Sequence, residues 1–267
     1  MALPTPAPDR TAVVTGASSG IGAEIARDLV RRGHQVVLVA RTESKLQALA
    51  DELGAGAHVL AADLSDRAAR AGLLDRITAL GLTPDILVNN AGLSTLGPVS
   101  KSDPEAEMNM VEVDVVSVVD LCSRFLPGMV ARGTGGILNV ASTAAFQPLP
   151  GQAGYGAGKA FVLSYSQSLS GELKGTGVAV TVLCPGPVDT GFGEAAGFTK
   201  EQADDALPAF MWIAADRVAR EAVDGLASGK LVVIPGVGNK AGAAFAKLTP
   251  KSLLIPILAK QHPGLKD

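Results

Sequence analysis

The sequence predicts an α/β fold, a doubly wound parallel sheet of about seven strands with helices on both faces. Three observations predict it. Short runs rich in Val, Leu and Ile alternate with helix-length segments along most of the chain, the pattern of right-handed crossovers rather than of hairpins. The first run passes without a linker into a glycine-rich turn and a helix, which places bare backbone and a helix N-terminus at one sheet edge. Finally, 267 residues with 47% hydrophobic and 18% charged side chains suffice to bury a large core without metal or disulfide.

Residues 11–15 form the first strand, and Gly16-Ala17-Ser18-Ser19-Gly20-Ile21-Gly22 leads into a helix over 23–32. Glycine lets a diphosphate approach the backbone, and the unpaired N–H groups of the first helical turn point at it. The spacing is Gly-x-x-x-Gly-x-Gly, not Gly-x-Gly-x-x-Gly, and the same residues would also make a tight structural turn. The second strand, 35–40, ends at Ala40-Arg41, where a dinucleotide fold meets the adenine ribose. An acid there selects a free 2′-hydroxyl and an Arg accommodates a 2′-phosphate, so Arg41 without an acid favours NADP(H) over NAD(H).

A third strand over 58–62 leads to Asp63, which either contacts adenine or closes a turn, and to Asp66, suited to cap the next helix. The fourth strand, 85–89, ends in Asn89-Asn90-Ala91-Gly92, amides able to pin backbone across a sheet or simply to turn the chain. Residues 105–132 read as one long helix and 137–141 as the fifth strand, with Ser142 at its tip. A helix over 155–174 then carries Tyr155 and Lys159, which share one face at i, i+4 spacing. A phenol beside a fixed cation ionises more easily, which suits it to donate or accept a proton near neutral pH. The pair also meets by chance on many helices, but all candidates fall beyond strand C-termini, where doubly wound sheets hold ligands.

The sixth strand, 178–183, is followed by Pro185-Gly186-Pro187-Val188-Asp189-Thr190 and an irregular segment, with a mobile substrate loop expected over about 187–210. A helix over 216–227 and a strand over 231–234 complete a single domain spanning 10–235. Residues 1–9, with three prolines, are expected to be a disordered leader. Residues 236–267 form an apolar, lysine-bearing amphipathic tail that packs on the domain, on a partner subunit or on a membrane surface.

A net charge of -3 leaves no basic field for nucleic acid. Cys122 and Cys184 lie in apolar contexts without His or Cys at metal spacing, and read as buried thiols of a reducing compartment. No apolar run reaches the ~18 residues of a membrane-spanning helix. The expected location is cytoplasmic.

Thr15-Gly-Ala-Ser-Ser-Gly-Ile-Gly22, Asn89-Asn-Ala-Gly92, Ser142, Tyr155-x-x-x-Lys159 and Pro185-Gly-Pro-Val-Asp-Thr190 occur in this order, with Ser142 thirteen residues before the Tyr. Over residues 10–235 this resembles the short-chain dehydrogenase/reductase (SDR) family. The resemblance implies a Rossmann-type sheet and an NAD(P)(H)-dependent oxidoreductase. Tyr155 would exchange the proton, Ser142 would hold the substrate oxygen, and Lys159 would lower the phenol pKa and bind the nicotinamide ribose. Cofactor contacts are implied for Gly16, Ser18, Ser19, Gly20, Ile21 and Gly22 in the turn, for Arg41, Asp63 and Leu64, and for Asn90, Ala91 and Gly92. Pro185, Gly186, Val188 and Thr190 are implied beside Tyr155 and Lys159. A homodimer or homotetramer through the helices near 105–132 and 155–174 is implied as well.

Family members usually place an Asn where this chain has Asp114, to support a water that relays protons. A carboxylate there would hold Lys159 protonated and oppose ionisation of Tyr155. The expected activity is NADP(H)-dependent interconversion of a carbonyl and an alcohol on an apolar small molecule, because Lys200 is the only basic residue between Pro187 and Leu207. Phe146, Phe192, Phe198 and Trp212 are candidate pocket residues. Two alternatives remain open: a non-catalytic NADP(H)-binding sensor or scaffold, kept open by Asp114, and a membrane-surface reductase of lipid-like carbonyls, kept open by the tail.

Overall fold

In the computed structural model, which describes residues 3–199 and 208–265, seven parallel strands form one sheet in the order β3-β2-β1-β4-β5-β6-β7. They are β1 Arg10–Thr15, β2 Gln35–Ala40, β3 Ala57–Ala61, β4 Thr83–Asn89, β5 Gly135–Val140, β6 Val178–Leu183 and β7 Val232–Val233. Successive side chains on a strand point to opposite faces, and a sheet covered on both faces therefore needs apolar residues at every position. Val13, Val37, Leu87, Ile137 and Val180 feed one core; Ala12, Val36, Ile86 and Leu138 feed the other. Each buried Val or Leu contributes about 1.5–3 kcal/mol relative to exposure.

The helices are α1 Gly20–Arg31, α2 Glu43–Leu53, α3 Arg67–Ala71, α4 Leu73–Ala79, α5 Pro104–Val111, α6 Ser117–Arg132, α7 Ala153–Glu172, α8 Phe192–Ala195, α9 Ala215–Ala227, α10 Val237–Leu248 and α11 Lys251–Gln261. The chain reverses its direction of travel across the sheet between β1 and β4, which opens a crevice beyond their C-terminal ends. Asp66 caps α3 as its sequence suggests, accepting from the Ala68 N–H at 2.8 Å. Both cysteines are free and buried.

Four features depart from the sequence reading. The first helix starts at Gly20 rather than residue 23, because the glycines of the turn enter it. The long helix is three pieces: α5, capped by Asp103 through the Glu105 N–H at 3.1 Å, a π-turn over Glu112–Val116, and α6. Residues 3–9 pack rather than trail: Pro4 is buried, Leu3 joins a core, and the Asp9 carbonyl accepts from the Thr83 N–H at 2.8 Å. The last strand has only two residues. The tail folds back onto the domain, burying Ala243, Ala246 and Leu254. Among the described residues no helix is long and apolar enough to cross a membrane.

Candidate active site

Thr15, the last residue of β1, ties the crevice together. Its hydroxyl donates to the Val88 carbonyl at 3.1 Å and accepts the N–H groups of Asn90 at 2.9 Å and Ala91 at 3.1 Å. The Asn90 amide returns two bonds, to the carbonyls of Thr15 at 2.9 Å and Gly16 at 3.2 Å. The turn is thereby pressed so close to Asn90 and Ala91 that side chains have no room. A Cβ on Gly16, whose φ is +63°, would stand 2.7 Å from the Asn90 amide nitrogen. One on Gly22 would strike both that amide and the Gly16 carbonyl, and one on Gly20 would lie 2.9 Å from Thr190 Cβ. Ser19 occupies the N-cap of α1 with extended backbone and no side-chain capping bond, so the first-turn N–H groups face Ser18–Gly22 free of a side-chain partner. Gly186 is held against Asn239, whose amide donates to the carbonyls of Met211 and Pro235, both at 3.0 Å.

Arg41 stands exposed at the tip of β2 with no ion pair among the described residues. Asp63 closes its turn: one carboxylate oxygen accepts the N–H and the hydroxyl of Ser65 at 2.9 and 2.8 Å. Burial raises that carboxyl, but the two Ser65 bonds and the charge of Arg41 outweigh it and hold it below the ordinary value. Leu64 is buried, and its carbonyl accepts from Arg70. A groove of about 330 Å³ between α1 and α2 runs up to Ser18 and Gly20, with Arg27 and Lys45 on its wall. Arg27 is taken up by Glu24 and Glu52 at 2.8 and 2.7 Å, so Lys45 is the cation on the groove wall without an ion pair among the described residues. Sequence reading passed over Lys45, an unremarkable lysine in an amphipathic helix.

On the other side of the crevice Ser142 follows β5 and accepts the Ala144 N–H at 3.1 Å. Tyr155 sits in the first turn of α7, half-buried, with the Phe192 ring 5.9 Å away. Lys159 lies one turn further on, its ammonium 5.5 Å from the Tyr155 ring centre, 2.9 Å from Asp114 Oδ2 and 3.3 Å from the Val140 carbonyl. Lys159 and Asp114 are 4% and 1% exposed. The π-turn faces Asp114 inward, where Oδ1 accepts the Leu93 N–H at 2.6 Å. Gly92 packs close to the pair: a Cβ there would stand 3.1 Å from the Lys159 nitrogen and 3.3 Å from Asp114 Oδ2.

The electrostatics differ in one respect from the expectation. Burial pushes the Tyr155 phenol above its ordinary value; Lys159 and the Ser142 hydroxyl pull it down, Asp114 pushes it up again, and the net direction is upward. Lys159 therefore lowers the phenol only in part, because removal of water disfavours the phenolate more than one cation favours it. Burial alone would lower Lys159, but the adjacent Asp114 carboxylate together with Tyr155 and Cys184 outweighs it, and the net direction is upward. Asp114 is itself raised by burial, against the pull of Lys159 and the Leu93 N–H. Asp114 acts on both groups in the same sense, raising Lys159 and raising Tyr155.

Of the aromatic candidates, Phe192 meets Tyr155, whereas Phe146 is buried in the core with the Lys247 ammonium 4.3 Å above its ring. Phe198 packs against His262, ring centres 6.2 Å apart, and Trp212 is half-buried beside the short turn Ala209–Met211. Lys200 lies outside the described residues. Gln152 and His262, joined by a hydrogen bond of 3.1 Å, were not singled out by sequence.

Comparison with known proteins settles the family. Residues 10–201 match the short chain dehydrogenase family. This chain belongs to that family. The SDR is 40% identical to the NADP-dependent 3-hydroxy acid dehydrogenase YdfG of Escherichia coli over 177 residues, 66% of this chain and 71% of the other. A short-chain dehydrogenase from Sphingobium yanoikuyae, solved in complex with NADPH, is 33% identical with a TM-score of 0.79, over 92% of this chain and 95% of that one. A 7β-hydroxysteroid dehydrogenase reaches a TM-score of 0.82 at 27% identity, over 93% and 96% of the two chains. The fold is that of an SDR oxidoreductase, a Rossmann-type sheet with its crevice at the β1/β4 switch.

Proposed function

We propose that this SDR uses NADP(H) to interconvert a carbonyl and an alcohol on an uncharged small molecule. The observation that carries the reading is the meeting of Tyr155, Ser142 and the Lys159–Asp114 pair at the same sheet edge as the glycine turn. The turn fits a dinucleotide: bare backbone at Gly16, Gly20 and Gly22, first-turn N–H groups without a side-chain cap, and Arg41 and Lys45 where a 2′-phosphate would lie. A bound NADPH would supply the hydride that reduces the substrate carbon.

The remaining work falls to the chain. Ser142 offers its hydroxyl to the substrate oxygen and orients it. Tyr155, protonated at neutral pH as any phenol is and pushed further that way by burial, gives its proton to that oxygen as negative charge develops there, which suits reduction. Lys159 stays charged and stabilises the phenolate left behind, and Asp114 fixes Lys159 through a buried ion pair. Among described cations on the substrate side, Lys159 is paired with Asp114, Lys247 lies over Phe146 and Lys251 donates to the Phe146 and Ala246 carbonyls. The buried cation beside Tyr155 is thus already paired, which favours a neutral substrate. The likeness to YdfG favours a second reading, a 3-hydroxy acid, whose carboxylate would require a cation from residues 200–207 such as Lys200.

The same reading expects a cytoplasmic homo-oligomer through α5 with α6 and through α7, where Met108, Val130 and Phe161 stand exposed. NADPH and NADH titrations, followed by turnover of a ketone and aldehyde panel beside Tyr155→Phe, test it. We expect tighter binding of NADPH, and turnover lowered about 10²–10⁴-fold by the substitution with NADPH affinity kept. Tight NADPH binding with no turnover of any substrate would instead support a sensor.

A further inference from the structure

The end of the tail packs against the N-terminal end of α7. His262 Nδ1 accepts the N–H of Gly264 at 3.2 Å. A neutral imidazole that accepts at one nitrogen carries its proton on the other, and Nε2 faces Gln152 Oε1 at 3.1 Å. Burial lowers the His262 pKa, consistent with the neutral ring. The amide of Gln152 is thereby oriented: its nitrogen donates to Ser94 Oγ at 2.7 Å, and the Ser94 hydroxyl donates to the Thr95 carbonyl at 3.2 Å. Four bonds run in one direction, from a backbone N–H in the tail to a backbone carbonyl in the loop after β4. Each fixes the polarity of the next.

The seat of this chain is made by glycines. At Gly151, whose φ is +87°, a Cβ would overlap the His262 ring. At Gly264 a Cβ would stand 2.6 Å from Leu96 Cδ1 and 3.0 Å from the Gly97 nitrogen, and the Gly97 N–H donates to the Gly151 carbonyl at 2.8 Å. Phe198 closes the ring's other side, the two planes 66° apart. Gln152 is the N-cap of α7, three residues before Tyr155, so the tail bears directly on the helix end that presents the phenol. Gln152 Oε1 is committed to His262 and one amide proton to Ser94. The other amide proton has no acceptor among the described residues.

We propose that His262 is a specificity-determining residue of the substrate pocket. By locking Gln152 with a single free N–H, it selects ketones or alcohols that carry a second, uncharged acceptor oxygen over plain hydrocarbon ones. This inference rests on the reductase reading above. The test compares an aliphatic ketone and a β-keto ester of similar length in wild type, His262→Ala and His262→Gln, with hydrogen exchange measured on all three proteins. Wild type should show a KM roughly tenfold lower for the keto ester, the worth of one added hydrogen bond.

His262→Ala should erase that preference by raising the ester KM with kcat unchanged. His262→Gln, whose amide accepts from Gly264 and donates to Gln152, should restore most of it. In the exchange experiment His262→Ala should release the Gly264 and Gly97 amides. A wild type without the preference, a preference that survives His262→Ala, or equal losses on both substrates overturns the specificity role. Unchanged exchange in His262→Ala overturns the lock, whether or not the protein turns over. If wild type binds NADPH but reduces neither ketone, the reductase reading fails and takes the specificity role with it, while exchange judges the lock separately.

Discussion

The two walls of the crevice are built differently. The wall at β1 and α1 is made of backbone: Gly16, Gly20 and Gly22 are pressed against Asn90, Ala91 and Thr190, and the structure lies in where Cβ atoms are missing. The wall at α7 is made of side chains gathered from far apart, Gln152 meeting Ser94 across 58 residues and His262 across 110. A backbone wall tolerates nothing added. A side-chain wall can be weakened by degrees and repaired by a residue with the same donors and acceptors.

The sharpest way to break this contrast is Gly22→Ala. The new methyl has no space between the Asn90 amide and the Gly16 carbonyl, and forced overpacking costs about 1–3 kcal/mol. Loss of measurable NADPH binding in a fluorescence titration and a lowered Tm are expected; near-normal affinity would mean that the turn yields more than its contacts suggest. Arg41→Ala comes next. If Arg41 holds the 2′-phosphate, the ratio of kcat/KM for NADPH over NADH falls roughly 10- to 100-fold, the worth of a charge-assisted bond, with the NADH value unchanged. An unaltered ratio would transfer that role to Lys45.

Asp114→Asn is the gentlest probe, and its sign follows from the charges. Asp114 pushes the Tyr155 pKa up, so its removal lowers it. Alcohol oxidation needs the phenolate as base, and the rising limb of its pH–rate profile should move to lower pH in the variant. A limb that stays or moves upward would show that Lys159, buried and deprived of its counter-ion, loses its own proton and with it the field that favours the phenolate.

Legibility in the sequence divides along the same line as the walls. The turn, the switch-point amides and Tyr155 with Lys159 lie within segments of four to eight residues whose types are dictated by backbone geometry or helix period, and local pattern reaches them. Asp63 is ambiguous because turn closure and ligand contact call for the same carboxylate; the Ser65 bonds show the turn closure, through one of its two oxygens. His262 has no local signal at all: it follows the last residue of an apolar, lysine-bearing helix, and its partners are fixed by the way the tail folds back. The net direction of the Tyr155 shift was equally out of reach, since burial, the largest influence on it, is a property of the packed molecule.

The π-turn over Glu112–Val116 carries a consequence for insertion and deletion. A π-turn takes up about one residue more than an α-turn, so a chain shortened by one residue between Met110 and Val118 would wind as an unbroken α-helix with α6 kept close to its present phase. Leu121, Cys122 and Phe125 would stay on the core they now fill, while the side chains of the turn itself, Asp114 among them, would change direction. The packing of α6 is therefore indifferent to the extra residue, and what that residue supplies is the local widening in which Asp114 reaches Lys159.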